Sequence, residues 1–325
     1  MSKAIGLISG GLDSSLAIMA LMRQGIEVTG ISFVTPFFNA DKSKLAAEAI
    51  GHPLIIEDIS HIHLDMVKNP RYGYGRNLNP CIDCHALMFQ LAGERMIKDG
   101  FDFLFSGEVL GQRPMSQNTY ALKSVANLSG FPERILRPLS AKLLPITPME
   151  ETGLVDRAQL LDFQGRSRRP QQALAKEWGL HNYPASGGGC LLTEDGFSNQ
   201  LHDLFSHDQK ATVADVELLK IGRQFRLSAT AKLILGRHQA DNEALEQQFK
   251  PDQIKLRCQN FSGPLGLFCG DSTQQEFETA AAIVASYGKG KDEPEVDVLC
   301  ISSKNEFVHK VKPMPRELSR QLLIR

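Results

Sequence analysis

A chain of 325 residues with 42% hydrophobic content has enough apolar material for two or three ordinary globular domains. A net charge of −1 excludes a global field that would advertise a nucleic-acid partner, so any such surface must be local. Six cysteines in a chain of this length do not make a disulfide scaffold, and clustered cysteines in a reducing compartment point to metal binding or catalysis.

In chain order, Ala4-Ile5-Gly6-Leu7-Ile8 is a short apolar run that reads as a buried strand. Leu12, Leu16, Met19 and Ala20 then recur at helical spacing, so Ser9-Gly10-Gly11-Leu12-Asp13-Ser14-Ser15 occupies a strand-to-helix turn. Such a turn aims free backbone N–H groups and the positive end of a helix at one spot, which suits a phosphate. Gly10 and Gly11 let the backbone approach an anion, the three serines add hydroxyl donors, and Asp13 can hold a metal ion bridging phosphates. No Gly-Lys-Ser/Thr ending follows, so this is not the usual nucleotide P-loop. A plain strand–helix turn with a serine cap is the alternative.

Val28 to Val34 reads as a second strand, Lys42 to Ile50 as a helix and Leu54-Ile55-Ile56 as a third strand. A helix from Ala86 to Ile97 and a fourth strand from Phe101 to Phe105 come next, and Ile135 to Leu139 reads as a fifth. This alternation predicts a doubly wound, mostly parallel α/β sheet, with ligands at the carboxyl ends of the strands. The turn at Gly10, the segment Phe33 to Pro36, and Ser106-Gly107-Glu108 with Gln112-Arg113 all lie on that side. Residues 1–145 form this domain, and 146–200 a connecting region with an acidic helix from Met149 to Leu161 and a short helix from Gln171 to Trp178. From 201 to 325 the alternation fades into a smaller α+β domain. No apolar segment approaches a membrane span and no signal pattern opens the chain, so a cytoplasmic protein without membrane partners is expected.

The run from Ser9 to Ser15 resembles the signature of the ATP-pyrophosphatase (PP-loop) family, whose fold is adenine nucleotide alpha-hydrolase-like. The resemblance implies that ATP is cleaved between its α and β phosphates and that AMP activates a carbonyl oxygen of a second substrate. It places the leaving pyrophosphate over Ser9 to Ser15 with Mg2+ near Asp13, and the nucleotide near Phe33 and Gly107. For Phe33, a core aromatic is an equally good reading.

Asn79-Pro80-Cys81-Ile82-Asp83-Cys84 precedes an apolar-periodic helix, so both cysteines of a Cys-x-x-Cys pair would lie in its first turn. A helix N-terminus favours thiolate, which is both nucleophile and metal ligand. A third cysteine, Cys190, ends the glycine run 186–190, while Cys258, Cys269 and Cys300 stand singly and read as buried and inert. The segment from Asn79 to Phe89 resembles the catalytic-cysteine segment of the bacterial tRNA 2-thiouridylases, with Cys190 in the place of their second essential cysteine. Other tRNA-thiolating PP-loop enzymes use three cysteines in this pattern to hold a [4Fe–4S] cluster. The resemblance implies a tRNA substrate and a sulfur donor, protein or small molecule. A cluster on Cys81, Cys84 and Cys190, a persulfide on Cys190 or Cys81, and structural zinc with His85 all fit these residues.

Arg166, Arg168 and Arg169 lie upstream of Cys190, and Lys220, Arg223, Arg226, Lys232 and Arg237 form a run without an acidic residue. Lys304 to Arg325 is also basic. These local surpluses are candidate RNA-phosphate contacts, against solvated faces balanced by nearby acids. Leu233-Ile234-Leu235-Gly236-Arg237, with Asp241-Asn242 and Leu245, resembles the RNA-binding module of NFACT-type proteins, departing from it at His238. The expectation is therefore an AMP-forming tRNA sulfurtransferase that adenylates a uridine carbonyl oxygen and replaces it with sulfur. An ammonia-using PP-loop amidating enzyme would leave the three cysteines idle. An RNA-binding protein with a vestigial nucleotide site and structural zinc is the rival from another class.

Overall fold

In the computed structural model, which describes residues 2–181, 183, 189–271 and 273–325, the chain divides into two units, Met1–Thr193 and Glu194–Arg325. In the first, β1 (Lys3–Leu7), α1 (Leu12–Met22), β2 (Glu27–Val34), α2 (Asp41–Ile50) and β3 (Leu54–Asp58) follow the expected alternation. Next come α3 (Ser60–Lys68), α4 (Cys81–Asp99), β4 (Phe103–Ser106), α5 (Thr119–Leu128) and β5 (Ile135–Leu136). The five strands pair entirely in parallel in the order β3-β2-β1-β4-β5. Strand order reverses between β1 and β4, and the crevice at their carboxyl ends is where such sheets take ligands.

Both faces of the sheet are buried, as the near-continuous apolar runs of the strands require. One face packs Ala4, Leu16, Ile18, Phe103 and Phe105 with α1 and residues of the segment 139–180. The other packs Ile5, Ile31, Phe89 and Leu104 with α4 and α5. Helix α4 begins at Cys81 rather than Ala86, and its buried positions Ala86, Phe89, Ala92, Gly93 and Met96 form the stripe that fixes it on the sheet. Gly93 is required there, because a Cβ would fall 2.2 Å from the Phe131 ring.

The helix expected over Met149 to Leu161 is not formed. A capping box at Thr147 starts α6 (Pro148–Glu151), and Gly153 at φ 76° ends the helical run at once. Met149 reaches the core from α6, and Val155 and Leu160 reach it from the chain that follows. Helix α7 (Arg169–Glu177) then packs against α1.

The second unit opens with α8 (Asp195–His207) and α9 (Val213–Leu219). It continues through β6 (Arg223–Arg226), β7 (Lys232–Leu235), α10 (Gln239–Gln247), β8 (Ile254–Cys258) and β9 (Gly266–Cys269). It closes with α11 (Gln274–Ser286), β10 (Val296–Ile301), β11 (Glu306–Val311) and α12 (Arg316–Ser319). The six strands are antiparallel in the order β11-β10-β8-β9-β7-β6, with α11 filling one face through Phe277, Ala281 and Val284. The C-terminal tail pairs with β6 through Arg226 N–H to Leu322 O and Ile324 N–H to Gln224 O, covering that sheet edge.

Helix α4 offers a direct test of what fixes the site-bearing elements. Phe89→Ala should lower the unfolding free energy by about 3–5 kcal/mol, because a fully buried ring leaves a cavity. Ile97→Ala, on the face of α4 where Ile97 is 69% exposed, should change it by less than about 0.5 kcal/mol. Urea denaturation followed by circular dichroism reads both.

Candidate active site

The turn after β1 is shaped by backbone contacts. Gly10 adopts φ 70°, and a Cβ on it would lie 2.2 Å from the Lys42 carbonyl, so only glycine fits. Gly11 caps α1 without any side-chain cap, and the Ser14 hydroxyl donates to the Gly11 carbonyl at 2.9 Å. At the end of β4, a Cβ on Gly107 would fall 2.5 Å from the backbone of Asp13 and Ser14. The β4 end and the start of α1 therefore meet directly at the switch point.

Asp13 faces this junction almost buried. Its Oδ2 accepts from Gln112 Nε2 at 2.7 Å and lies 3.2 Å from the Arg168 guanidinium. Gln112 is held in turn by Gln171 of α7. Oδ1 of Asp13 is buried with no hydrogen-bond partner among the described residues, the condition a cation or ligand donor would relieve. Of the three arginines expected to meet RNA, Arg168 turns back to Asp13, while Arg166 and Arg169 are exposed. Phe33 is 3% exposed and packed in the core with Ile5, Ile31 and Phe89, so its ring is committed to packing rather than open for adenine.

One residue beyond Gly107, the Glu108 carboxylate is buried and accepts from three sides. His85 Nδ1 lies 2.9 Å from Oε1, and Oε2 takes Arg137 Nε at 2.9 Å and the Ser106 hydroxyl at 3.1 Å. Burial alone would raise the Glu108 pKa, but Arg137 and His85 outweigh it and hold the carboxyl at about 2. An ionised carboxylate only accepts, so the His85 proton sits on Nδ1. His85, next to Cys84 on α4, thus ties the cysteine segment to the end of β4. The pairing was not legible in sequence, since His85, Glu108 and Arg137 come from three separate elements.

The three cysteines expected to share a site lie near one another. Leu191 N–H donates to Phe37 O at 3.0 Å and Asn77 Nδ2 to Thr193 O at 2.9 Å, which brings the Cys190 segment beside α3 and α4. The Phe37 ring contacts His63, whose Nε2 is 3.2 Å from Cys84 Sγ. Burial pushes the Cys84 thiol well above its usual value, and the charges of Cys190, Cys81 and Asp83 push in the same direction. The expected thiolate gain at a helix start therefore does not hold for Cys84. His63 is itself fully buried, which lowers it to about 4 and keeps it neutral. Cys81, Cys84 and Cys190 are all partly exposed. Asp83 is structural, accepting the backbone N–H groups of Arg71 and Tyr72. Residues 186–188 of the glycine run lie outside the described residues, while Gly189 adopts φ 135°. Among the described residues no three His, Cys, Asp or Glu side chains are arranged to hold a metal ion.

In the second unit, three of the five basic residues of the run 220–237 carry carboxylate partners, and Lys232 is partly buried without an ion pair among the described residues. Lys220 pairs with Glu217 at 2.6 Å, Arg226 with Asp203 at 2.6 Å and Arg237 with Asp241 at 2.8 Å. Arg223 instead lies over the Tyr287 ring. No described helix is long and apolar enough to cross a membrane.

Comparison with known proteins matches the two units separately. The family model described as thiamine biosynthesis protein (ThiI) matches residues 1–142, and that described as NFACT protein RNA binding domain matches residues 222–322. The first unit is thus similar to the ThiI family and the second to the NFACT RNA-binding domain. A probable tRNA sulfurtransferase of Staphylococcus aureus (strain MRSA252) is 28% identical over 149 residues, covering 42% of this chain and 34% of that protein. The counterpart from strain Newman gives the same figures. The chain thus spans about a third of the length of the curated relatives it matches. Among solved structures, a 4-thiouridine synthetase–RNA complex with bound ATP aligns at TM-score 0.38 and 22% identity, covering 55% of this chain and 41% of that one. The C-terminal part of a fibronectin/fibrinogen-binding protein from Streptococcus suis aligns at TM-score 0.30 and 12% identity, covering 75% and 96%.

Glu108 carries a pH signature. Its pKa is depressed on folding, so its stabilisation is complete above the unfolded value near 4.5 and is lost as pH falls toward about 2. Glu108→Gln should leave Arg137 buried without a counter-charge and cost about 3–5 kcal/mol at pH 7. Against wild type, the deficit should shrink between pH 4.5 and pH 2. Thermal melts across that range check both.

Proposed function

We propose that this protein is an ATP-dependent tRNA sulfurtransferase that adenylates a uridine carbonyl oxygen and replaces it with sulfur. The observation that carries the reading is a continuous link between loop and thiols. Gly107 abuts Asp13, Glu108 beside it binds His85, and His85 adjoins Cys84. The ThiI-type domain and the relatives named as tRNA sulfurtransferases support the same reaction class.

In this reading ATP lies over Ser9 to Ser15, with Arg168 toward its phosphates. The bare Oδ1 of Asp13 fits Mg2+, which would offset phosphate charge there. The uridine oxygen attacks the α-phosphorus and pyrophosphate leaves with the bridging oxygen. A persulfide on Cys81 or Cys190, charged by a sulfur donor, attacks the activated carbon through its terminal sulfur, and AMP departs with the original carbonyl oxygen. The other cysteine attacks the sulfur still bound to the protein, releasing thiouridine and leaving a Cys81–Cys190 disulfide. An external dithiol then reduces that disulfide.

All three thiols are partly exposed; the raised pKa of Cys84 beside neutral His63 makes it the poorest nucleophile of the three, so exchange is assigned to Cys81 and Cys190. A [4Fe–4S] cluster on Cys81, Cys84 and Cys190 would use the same three thiols as ligands, and iron content separates it from the persulfide. The uridine must leave its stack to reach these groups, a small cost for a loop nucleotide.

Asp13→Ala should cut tRNA-dependent pyrophosphate release by roughly 10²-fold, the scale of removing one transition-state contact. Cys81→Ala and Cys190→Ala should abolish thiouridine formation on total tRNA, while Cys84→Ala retains most of it. Iron assayed on anaerobically purified protein should be far below stoichiometric. Parallel loss of iron and activity in all three variants would replace persulfide by cluster chemistry, and full activity in Cys190→Ala would refute both.

A further inference from the structure

The second unit contains a cavity of about 270 Å³ where β6, the β7–α10 turn, the β8–β9 loop, the end of α11 and the start of α12 converge. Its polar lining is dominated by Arg223, Arg237 and Arg316 around Tyr287. The Arg223 guanidinium carbon is 5.0 Å from the Tyr287 ring centroid and that of Arg316 is 4.7 Å from the same centroid. Neither of these two arginines has a carboxylate partner among the described residues, in contrast to Arg226 and Arg237.

Two cations gathered at one ring repel each other, and at an exposed site the ring quadrupole offsets only part of that repulsion. An anion seated between them turns the repulsion into attraction. The guanidinium fork matches the oxygens of a phosphate in a paired geometry. Arg237 is held differently. Asp241 Oδ2 accepts from its Nε at 2.8 Å and from its backbone N–H at 2.9 Å, so it forms a fixed wall rather than a mobile cation.

The backbone is shaped to keep the cavity open. A Cβ on Gly236 would come 2.1 Å from Asn242 Oδ1, and one on Gly263 would come 3.1 Å from Gly288 Cα. The Asn242 oxygen is itself fixed by the Leu265 N–H at 3.0 Å. The space is too small for a protein segment or a duplex to enter, and suits one phosphate with part of its nucleotide.

We propose that this cavity seats a phosphate group of the RNA chain between Arg223 and Arg316, with Tyr287 holding the two guanidiniums in place. The proposal rests on the RNA-binding reading above and adds the site and the chemical group bound. An internal phosphodiester and a terminal phosphate share this chemistry.

The test is tRNA binding by the full chain, read by fluorescence anisotropy over a salt series. Arg223→Gln and Arg316→Gln should each weaken binding about tenfold near 0.1 M salt and lower the log–log salt slope by about one. Lys210→Gln, an exposed change in the α8–α9 loop, should leave both near wild type. Tyr287→Leu keeps every positive charge yet should weaken binding severalfold, which a purely diffuse electrostatic surface would not do. Inorganic phosphate should compete with tRNA beyond chloride of matched ionic strength in wild type, and not in Arg223→Gln. With dephosphorylated tRNA, a persisting gap between wild type and variants assigns an internal phosphodiester, and its disappearance assigns a terminal phosphate. Equal binding by wild type, Arg223→Gln and Arg316→Gln would overturn the cavity while leaving sulfur transfer intact. An equal loss in Lys210→Gln would overturn it too. Absence of tRNA binding in wild type would instead remove the reading beneath it.

Discussion

The buried carboxylate of Glu108 is the junction on which the first unit's site depends. It gathers His85 from α4, Ser106 from β4 and Arg137 from beyond β5, and Arg137 continues to the Leu122 carbonyl of α5. A buried charge is tolerated only when it is paired and hydrogen-bonded, and Glu108 satisfies both conditions. The consequence is positional. Gly107, one residue away, can then press its backbone against Asp13, and the glycine-rich turn and the cysteine helix share one rigid floor. Loss of any corner would let α4 shift relative to the strand ends, although none of these groups need touch a substrate.

Much of this unit was legible because the signals were local. The turn at Gly10 follows from two adjacent glycines between an apolar run and a helical period, and the sheet from strands repeating with helices between them. The reading failed where tertiary contacts decided the outcome. The acidic stretch from Met149 has helical spacing, yet Gly153 in the left-handed region stops it, and the core then accepts Val155 and Leu160 from irregular chain. Helices α3 and α5 were not foreseen. α3 brings the fully buried His63 against Cys84, and α5 contributes Leu122 O to Arg137. Their partners lie far away in sequence, so no window could have paired them.

The charge pattern shows the same limit more sharply. Residues 220–237 contain no acid, which made them look like an unbalanced basic surface. The fold supplies the acids from outside that window, as Glu217 one helix earlier, Asp203 from α8 and Asp241 from α10. Among the described residues, Lys232 and Arg223 remain without an ion pair, and Arg223 is joined by Arg316 from a segment far along the chain. Linear charge density counted the positive groups correctly and misplaced the field, because side-chain pairing across the sheet sets where the field survives.

The Cys-x-x-Cys pair carries the last such lesson, since its two thiols look equivalent in sequence. Both occupy the first turn of α4, where the helix dipole contributes about 0.3–1 kcal/mol toward thiolate, less than one pKa unit. Burial works in the opposite direction and reaches 3–5 pKa units for a fully enclosed group, so at Cys84 desolvation wins. The helix phase turns Cys84 toward His63, whereas Cys81 lies beside Asn79. A motif spaced to present two equivalent sulfurs therefore holds two partly exposed thiols of unequal acidity. The Leu191–Phe37 hydrogen bond brings a third partly exposed thiol, Cys190, to the same side of the sheet.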